Sequence, residues 1–187
     1  MSSLLDNPAI RAGVEPISVE QYRRMGEAGI IDSKTELIAG VILRKMIKSP
    51  LHTLTVKRLI DALMPQLGEE VELRKEEPLT LESSEPEPDI ALISRGSYDP
   101  TRSHPSTALL VIEVAISSES LDRAKTAIYA VAQVPEYWLV LPERRIVERF
   151  TDLQGDRYLS SETIAFDTAI QSRSSLSLVV ELNRLLD

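Results

Sequence analysis

The chain has 187 residues, 43% hydrophobic and 27% charged, with a formal net charge of -8 at pH 7. That length suits one domain burying roughly 70% of its unfolded surface, and the composition excludes disordered and fibrous classes. Cysteine is absent, which excludes a disulfide framework and a thiolate metal site and leaves nothing to argue for an oxidising compartment.

The start Met1-Ser2-Ser3-Leu4-Leu5-Asp6 lacks a basic segment followed by an apolar run. No stretch approaches the roughly 20 apolar residues that span a bilayer. A cytoplasmic protein without a membrane partner is the expectation. Residues 1–16 carry Pro8, Gly13 and Pro16 with no sustained period and read as a mobile arm, followed by a single domain over residues 17–187.

Ser18 with Gln21 is a capping-box pattern and Gly29 a stop, which predicts a helix over 19–28. Residues 35–46 look extended, and Ala39-Gly40 is the turn of a hairpin. Ser49-Pro50 predicts a second helix start, with Val56, Leu59, Ile60, Leu63, Met64 and Leu67 as its apolar stripe and Pro65 as its end or kink. Three extended runs follow, over 70–76, 89–93 and 109–116, the last apolar except for one glutamate. A helix over 121–132 and a buried strand over 137–141 then complete a βαβ unit, which requires parallel neighbours. Residues 146–150 and 157–159 flank the turn Gln154-Gly155-Asp156 as an antiparallel hairpin, and 176–186 closes the core as strand or helix. The fold class is therefore mixed α/β (α+β), a central mixed sheet flanked by helices.

Glu113 sits inside Leu109-Leu110-Val111-Ile112-Glu113-Val114-Ala115-Ile116. A carboxylate left uncompensated there costs several kcal/mol. A buried arginine, a divalent cation or a raised pKa would each answer that need. Pro88 lacks an amide hydrogen, so Pro88-Asp89 marks a strand start, and Asp89 opens the apolar run Ile90-Ala91-Leu92-Ile93. Glu85 and Glu87 share its side at a period of two but read as an exposed acidic loop. Lys125 lies on the face that carries Leu121, Ile128, Tyr129 and Ala132. It either reaches the sheet or pairs with Asp122 with its stem snorkelling outward.

Pro88-Asp89 and, 24 residues on, Glu113-Val114-Ala115 resemble the signature of the PD-(D/E)XK nuclease superfamily. The strings Pro86-Glu87-Pro88-Asp89-Ile90-Ala91, Glu113-Val114-Ala115-Ile116-Ser117-Ser118 and Pro135-Glu136-Tyr137-Trp138-Leu139-Val140 are similar to its bacterial branch of restriction-endonuclease-like proteins. Glu36-Leu37-Ile38-Ala39-Gly40 and His52 belong to the same resemblance, which runs from Ser18 to about Tyr158.

The resemblance implies a restriction-endonuclease-like core. It also implies a metal-dependent endonuclease acting on phosphodiester bonds in DNA, with Asp89 and Glu113 as ligands of Mg²⁺ or Mn²⁺. The superfamily's strand lysine is Ala115 here, and the branch's helix lysine corresponds to Lys125. Glu36 matches a carboxylate that holds a water beside the metal; His52, near a helix start, is left outside the main site. Cutting both strands takes two sites, so a homodimer is expected from the chemistry and not from any residue.

The net charge opposes a polyanionic substrate, although Arg44, Lys45, Lys48, Lys57 and Arg58 fall close together. Two other classes stay open: a non-catalytic binding or assembly module on the same fold, and a hydrolase of small phosphoesters.

Overall fold

The computed structural model describes Ala9 and residues 13–186, so most of the expected arm lies outside the described residues. Helix α1 (Val19–Glu27) begins where the Ser18 hydroxyl accepts from the Gln21 amide at 3.2 Å and the Gln21 side chain accepts from the Ser18 amide at 2.8 Å. This reciprocal pair satisfies two of the first turn's orphan donors. The helix buries none of its residues and is tied down by polar contacts such as the Tyr22 hydroxyl donating to the Thr35 carbonyl at 2.9 Å.

Strands β1 (Thr35–Ile38) and β2 (Val41–Arg44) form the expected antiparallel hairpin. Both turn residues, Ala39 and Gly40, have positive φ, which matches the twist of a two-residue hairpin. Gly40 is needed for space as well, because a Cβ there would lie 2.5 Å from the Pro16 Cβ. Helix α2 (Pro50–Leu63) starts at the Ser49 cap and buries Val56, Leu59 and Leu63. The missing amide hydrogen of Pro65 ends it, and one 3₁₀ turn, Met64–Gln66, leaves Met64 exposed.

The remaining strands that matter here form one six-stranded sheet in the order β3-β4-β5-β6-β7-β8. They are β3 (Val71–Lys75), β4 (Ile90–Ser94), β5 (Leu110–Val114), β6 (Tyr137–Leu141), β7 (Ile146–Gln154) and β8 (Arg157–Ala165). Only β5 and β6 run parallel, joined by the helical crossover; every other neighbour is antiparallel. The β7–β8 hairpin is longer than expected because alternation carries both strands to nine residues. A short antiparallel pair joins β9 (Ala169–Gln171), which was not anticipated because three residues give too little period to read, to β10 (Val179–Glu181), which lies in the stretch 176–186 expected as strand or helix.

Alternation along β5 divides the core. Leu110, Ile112 and Val114 face α2, whereas Val111 and Ala115 face the crossover side with Tyr129 and Tyr137. The expected helix over 121–132 is two short ones, α3 (Glu119–Ala124) and α4 (Thr126–Val131), meeting at Lys125. Two hydroxyls explain the break: Tyr137 donates to the Asp122 carbonyl and Thr126 donates to the Arg123 carbonyl, each at 2.8 Å. Both compete with the helical ladder. No helix among the described residues is long and apolar enough to cross a membrane.

Candidate active site

Strand register brings the two sequence-distant carboxylates together. Ile90 pairs with Ile112 across the antiparallel β4–β5 ladder, so Asp89, one residue before β4, lies beside Glu113. The Val114 amide donates to Asp89 Oδ2 at 2.8 Å, and the Asp89 amide approaches Glu113 Oε2 at 3.3 Å. Period two puts Glu113 on the face of Val111 and Ala115, beneath the crossover helices. There Lys125 Nζ reaches Glu113 Oε1 at 3.1 Å and the Tyr129 hydroxyl donates to the same oxygen at 2.9 Å.

Lys125 serves three carboxylates at once: Glu113, Asp122 at 3.1 Å and Glu36 at 3.2 Å. Of the two readings open for this lysine, it reaches the sheet, and it pairs with Asp122 from that buried position rather than with its stem turned outward. Glu36, Asp89, Glu113 and Asp122 are each no more than 6% exposed, against one equally buried ammonium. Burial first, then the crowding carboxylates, push the Glu113 carboxyl up to about 8 despite Lys125. Burial alone would favour a neutral Lys125, but the attraction of Glu113, Glu36 and Asp122 outweighs it and holds the ammonium above its ordinary value.

These groups line a cleft of about 420 Å³. Its floor carries Asp89, Glu113 and Lys125, and its rim carries Lys34, Arg44 and Lys48. The basic cluster is therefore divided: Lys57 pairs with Asp61 on the exposed face of α2, and the Arg58 guanidinium donates to the Arg184 carbonyl.

Two expectations about the acidic segment are corrected. Glu85 is buried and held by Arg23 at 2.8 Å, while half-buried Glu87 pairs with Lys45 at the cleft wall. Strand-like alternation beside Leu37, which bridges to Glu85, draws both inward. His52 also departs from expectation: its Nε2 lies 3.0 Å from Asp89 Oδ2, and its Nδ1 is buried without a hydrogen-bond partner. The signal was available in the helical spacing, since His52 stands four residues before Val56 and seven before Leu59, on the face that is buried. Asp122 is the other missed cleft residue; its i,i+3 spacing to Lys125 announced the pair but not its burial.

The donor set suits a hard divalent cation of low coordination demand. Among the described residues, Asp89 Oδ1 has only Lys48 nearby, at 3.8 Å, and Glu113 Oε2 has only the long amide contact, so each carboxylate keeps one oxygen with capacity. The excess of buried negative charge also favours a cation. Among the described residues, no three His, Cys, Asp or Glu side chains converge to hold a metal alone. Mg²⁺ commonly takes one or two carboxylates and completes its shell with water and phosphate oxygens.

No curated protein sequence matches the chain. Solved structures do, among them a crystal structure described as "a putative nuclease belonging to DUF820" from Anabaena variabilis ATCC 29413. It is 16% identical, with a TM-score of 0.72 over 91% of this chain and 97% of that one, a likeness of fold. The central mixed sheet flanked by helices, expected from the sequence, is thus a fold shared with that protein. A family model described as "Uma2: Putative restriction endonuclease" matches residues 19–184, nearly the whole chain, and the protein belongs to that family.

Proposed function

We propose that the chain is a metal-dependent endonuclease hydrolysing phosphodiester bonds in DNA, with residues 17–187 acting as one nuclease-like domain. The observation that carries this reading is the meeting of Asp89, Glu113 and Lys125 at the floor of one cleft. Asp89 and Glu113 are the ligands proposed for Mg²⁺ or Mn²⁺, with the Val114 carbonyl as a further oxygen. When bound, such an ion acts as a Lewis acid on the phosphate and lowers the pKa of a coordinated water.

The chain's own residues do the rest. Lys125 stays protonated at working pH, so its role is electrostatic: it fixes the carboxylates and faces charge developing on the phosphate. Glu36, drawn to Lys125 at 3.2 Å, is in this reading the acceptor of a hydrogen bond from the attacking water. Hydrolysis joins the water oxygen to phosphorus, breaks one phosphorus–oxygen ester bond and leaves a proton on the departing alkoxide. Ala115 packs in the core, so the cation that the superfamily carries on the strand arrives here from the α3–α4 junction. A homodimer would supply the second site for double-strand cutting, and sedimentation analysis tests it.

The experiment is plasmid cleavage in Mn²⁺ and in Mg²⁺ by the wild type, Asp89→Ala and Glu113→Ala. Nicking by the wild type alone is expected. Equal cleavage by all three removes the site assignment. Cleavage of a chromogenic phosphodiester without cleavage of plasmid favours the small-phosphoester reading.

A further inference from the structure

The cleft has one wall whose chemistry the hydrolytic residues leave unexplained. Residues 44–48, leading from β2 into α2, line it as Arg44, Lys45, Met46, Ile47 and Lys48. Ile47 is 96% exposed and Met46 54% exposed. Scattered exposed apolar residues are ordinary. These two are adjacent, flanked by cations on both sides, and border the same cleft as Asp89 and Glu113.

Charge at this wall gives a weak hold on phosphates. Lys45 is engaged by Glu87 and Lys48 by Glu76 at 2.7 Å, which leaves Lys34 and Arg44 with no ion pair among the described residues. The whole chain carries a net charge of -8, so backbone contacts must work against a repelling field. An apolar contact with a base supplies affinity that this charge balance does not. In an intact duplex the base faces are hidden in the stack, and a methionine–isoleucine tip meets one only where a base is unpaired or a step is opened.

We propose that Met46 and Ile47 form a base-contacting tip, and that the substrate is DNA with an unpaired or unstacked base beside the scissile phosphate. This deepens the nuclease reading of the cleft and rests on it.

The test uses the full chain as wild type, the double variant Met46→Ser/Ile47→Ser, and Asp89→Ala. Three labelled substrates of one sequence are compared: duplex, duplex with a central bulge, and single strand. Cleavage in Mn²⁺ is expected to be at least about tenfold faster on the bulged and single-stranded forms than on the duplex, a preference of the size that burying an apolar side chain against a base provides. In the double variant those two rates fall about tenfold toward the duplex rate, and the salt dependence of binding is unchanged because no phosphate contact is removed. A 2-aminopurine beside the cut site, read in Ca²⁺, brightens with the wild type and not with the double variant.

Equal wild-type rates on all three substrates, or a preference that survives in the double variant, overturn the tip while leaving the nuclease intact. A wild type that cuts none of the three, like Asp89→Ala, overturns the nuclease reading and the tip with it.

Discussion

Glu113 on β5 and Glu136 just before the neighbouring β6 are both buried carboxylates, and their surroundings make opposite demands. Glu136, fully buried just before β6, accepts from Trp138 Nε1 at 2.7 Å, the Ser172 hydroxyl at 2.6 Å, and the Arg173 and Ser174 amides at 2.8 Å each. All four donors are neutral and fixed by the chain, so this carboxylate needs nothing more. Glu113 shares one ammonium with two other acids, receives one hydroxyl and one long amide contact, and opens on a cleft. Burial of an acid therefore does not mark a site by itself. Like-charge crowding with spare acceptor capacity does, because it leaves a charge that the scaffold has not neutralised.

The comparison breaks most sharply if the two acids are removed in turn. Asp89→Ala or Glu113→Ala is expected to lower DNA cleavage by about 10³-fold, the scale of losing a principal electrostatic group, with circular dichroism unchanged. Lys125→Ala should instead destabilise, by about 3–5 kcal/mol, since it strands three buried carboxylates without their counter-ion. Urea denaturation measures that, and a stable Lys125→Ala protein would show that the carboxylates share protons without it. Glu136→Ala is expected to cost about 2–4 kcal/mol by orphaning the buried Trp138 indole and removing the acceptor of the part-buried Arg173 amide, and to leave cleavage per folded molecule near wild type. Loss of cleavage at full stability would make Glu136 part of the site.

Much of this contrast was legible before any coordinates. The apolar run around Glu113 announced its burial, and Pro88 announced the strand start that aims Asp89, because both signals are local. Lys125 was readable as a face residue of a helix, but the break there was not, since it depends on the hydroxyl of Tyr137 from another strand. Glu85 and Glu87 looked exposed because their partners, Arg23 and Lys45, stand 62 and 42 residues away. Glu136 drew no notice for the same reason: its donors Ser172, Arg173 and Ser174 belong to a loop with no period of its own. What was missed is the long-range pairing that decides whether a buried acid is satisfied.

His52 tests how tightly the Asp89 side of the cleft is held. The carboxylate only accepts, so Nε2 carries the proton in the 3.0 Å bond to Asp89 Oδ2, and the ring fixes one oxygen of a carboxylate that lines the cleft. His52→Ala is expected to lower cleavage by about 10–100-fold, the usual cost of losing a group that orients a ligand. His52→Gln, which keeps a donor, should recover part of the loss, and the Mn²⁺ dissociation constant from calorimetry should rise in the alanine variant. A dissociation constant unmoved by either change would reduce His52 to a packing residue.

The smallest effect is also the most selective for Glu113. Its carboxyl has an ordinary value of 4.5 and a folded value of about 8, so between these the folded protein holds a proton that the unfolded chain has lost. Stability without metal should therefore fall as pH rises through this window, by at most about 1.4 kcal/mol per pH unit, and level off above pH 8. Lys125 adds nothing to the slope, because its raised value affects stability only above its ordinary 10.5. Glu113→Gln should flatten the curve between about pH 6 and 8. Urea midpoints in the presence of a chelator read this out directly. Parallel wild-type and Glu113→Gln curves would mean that Glu113 is ionised throughout, already compensated by Lys125 and Tyr129, and the uncompensated charge that distinguishes it from Glu136 would be gone.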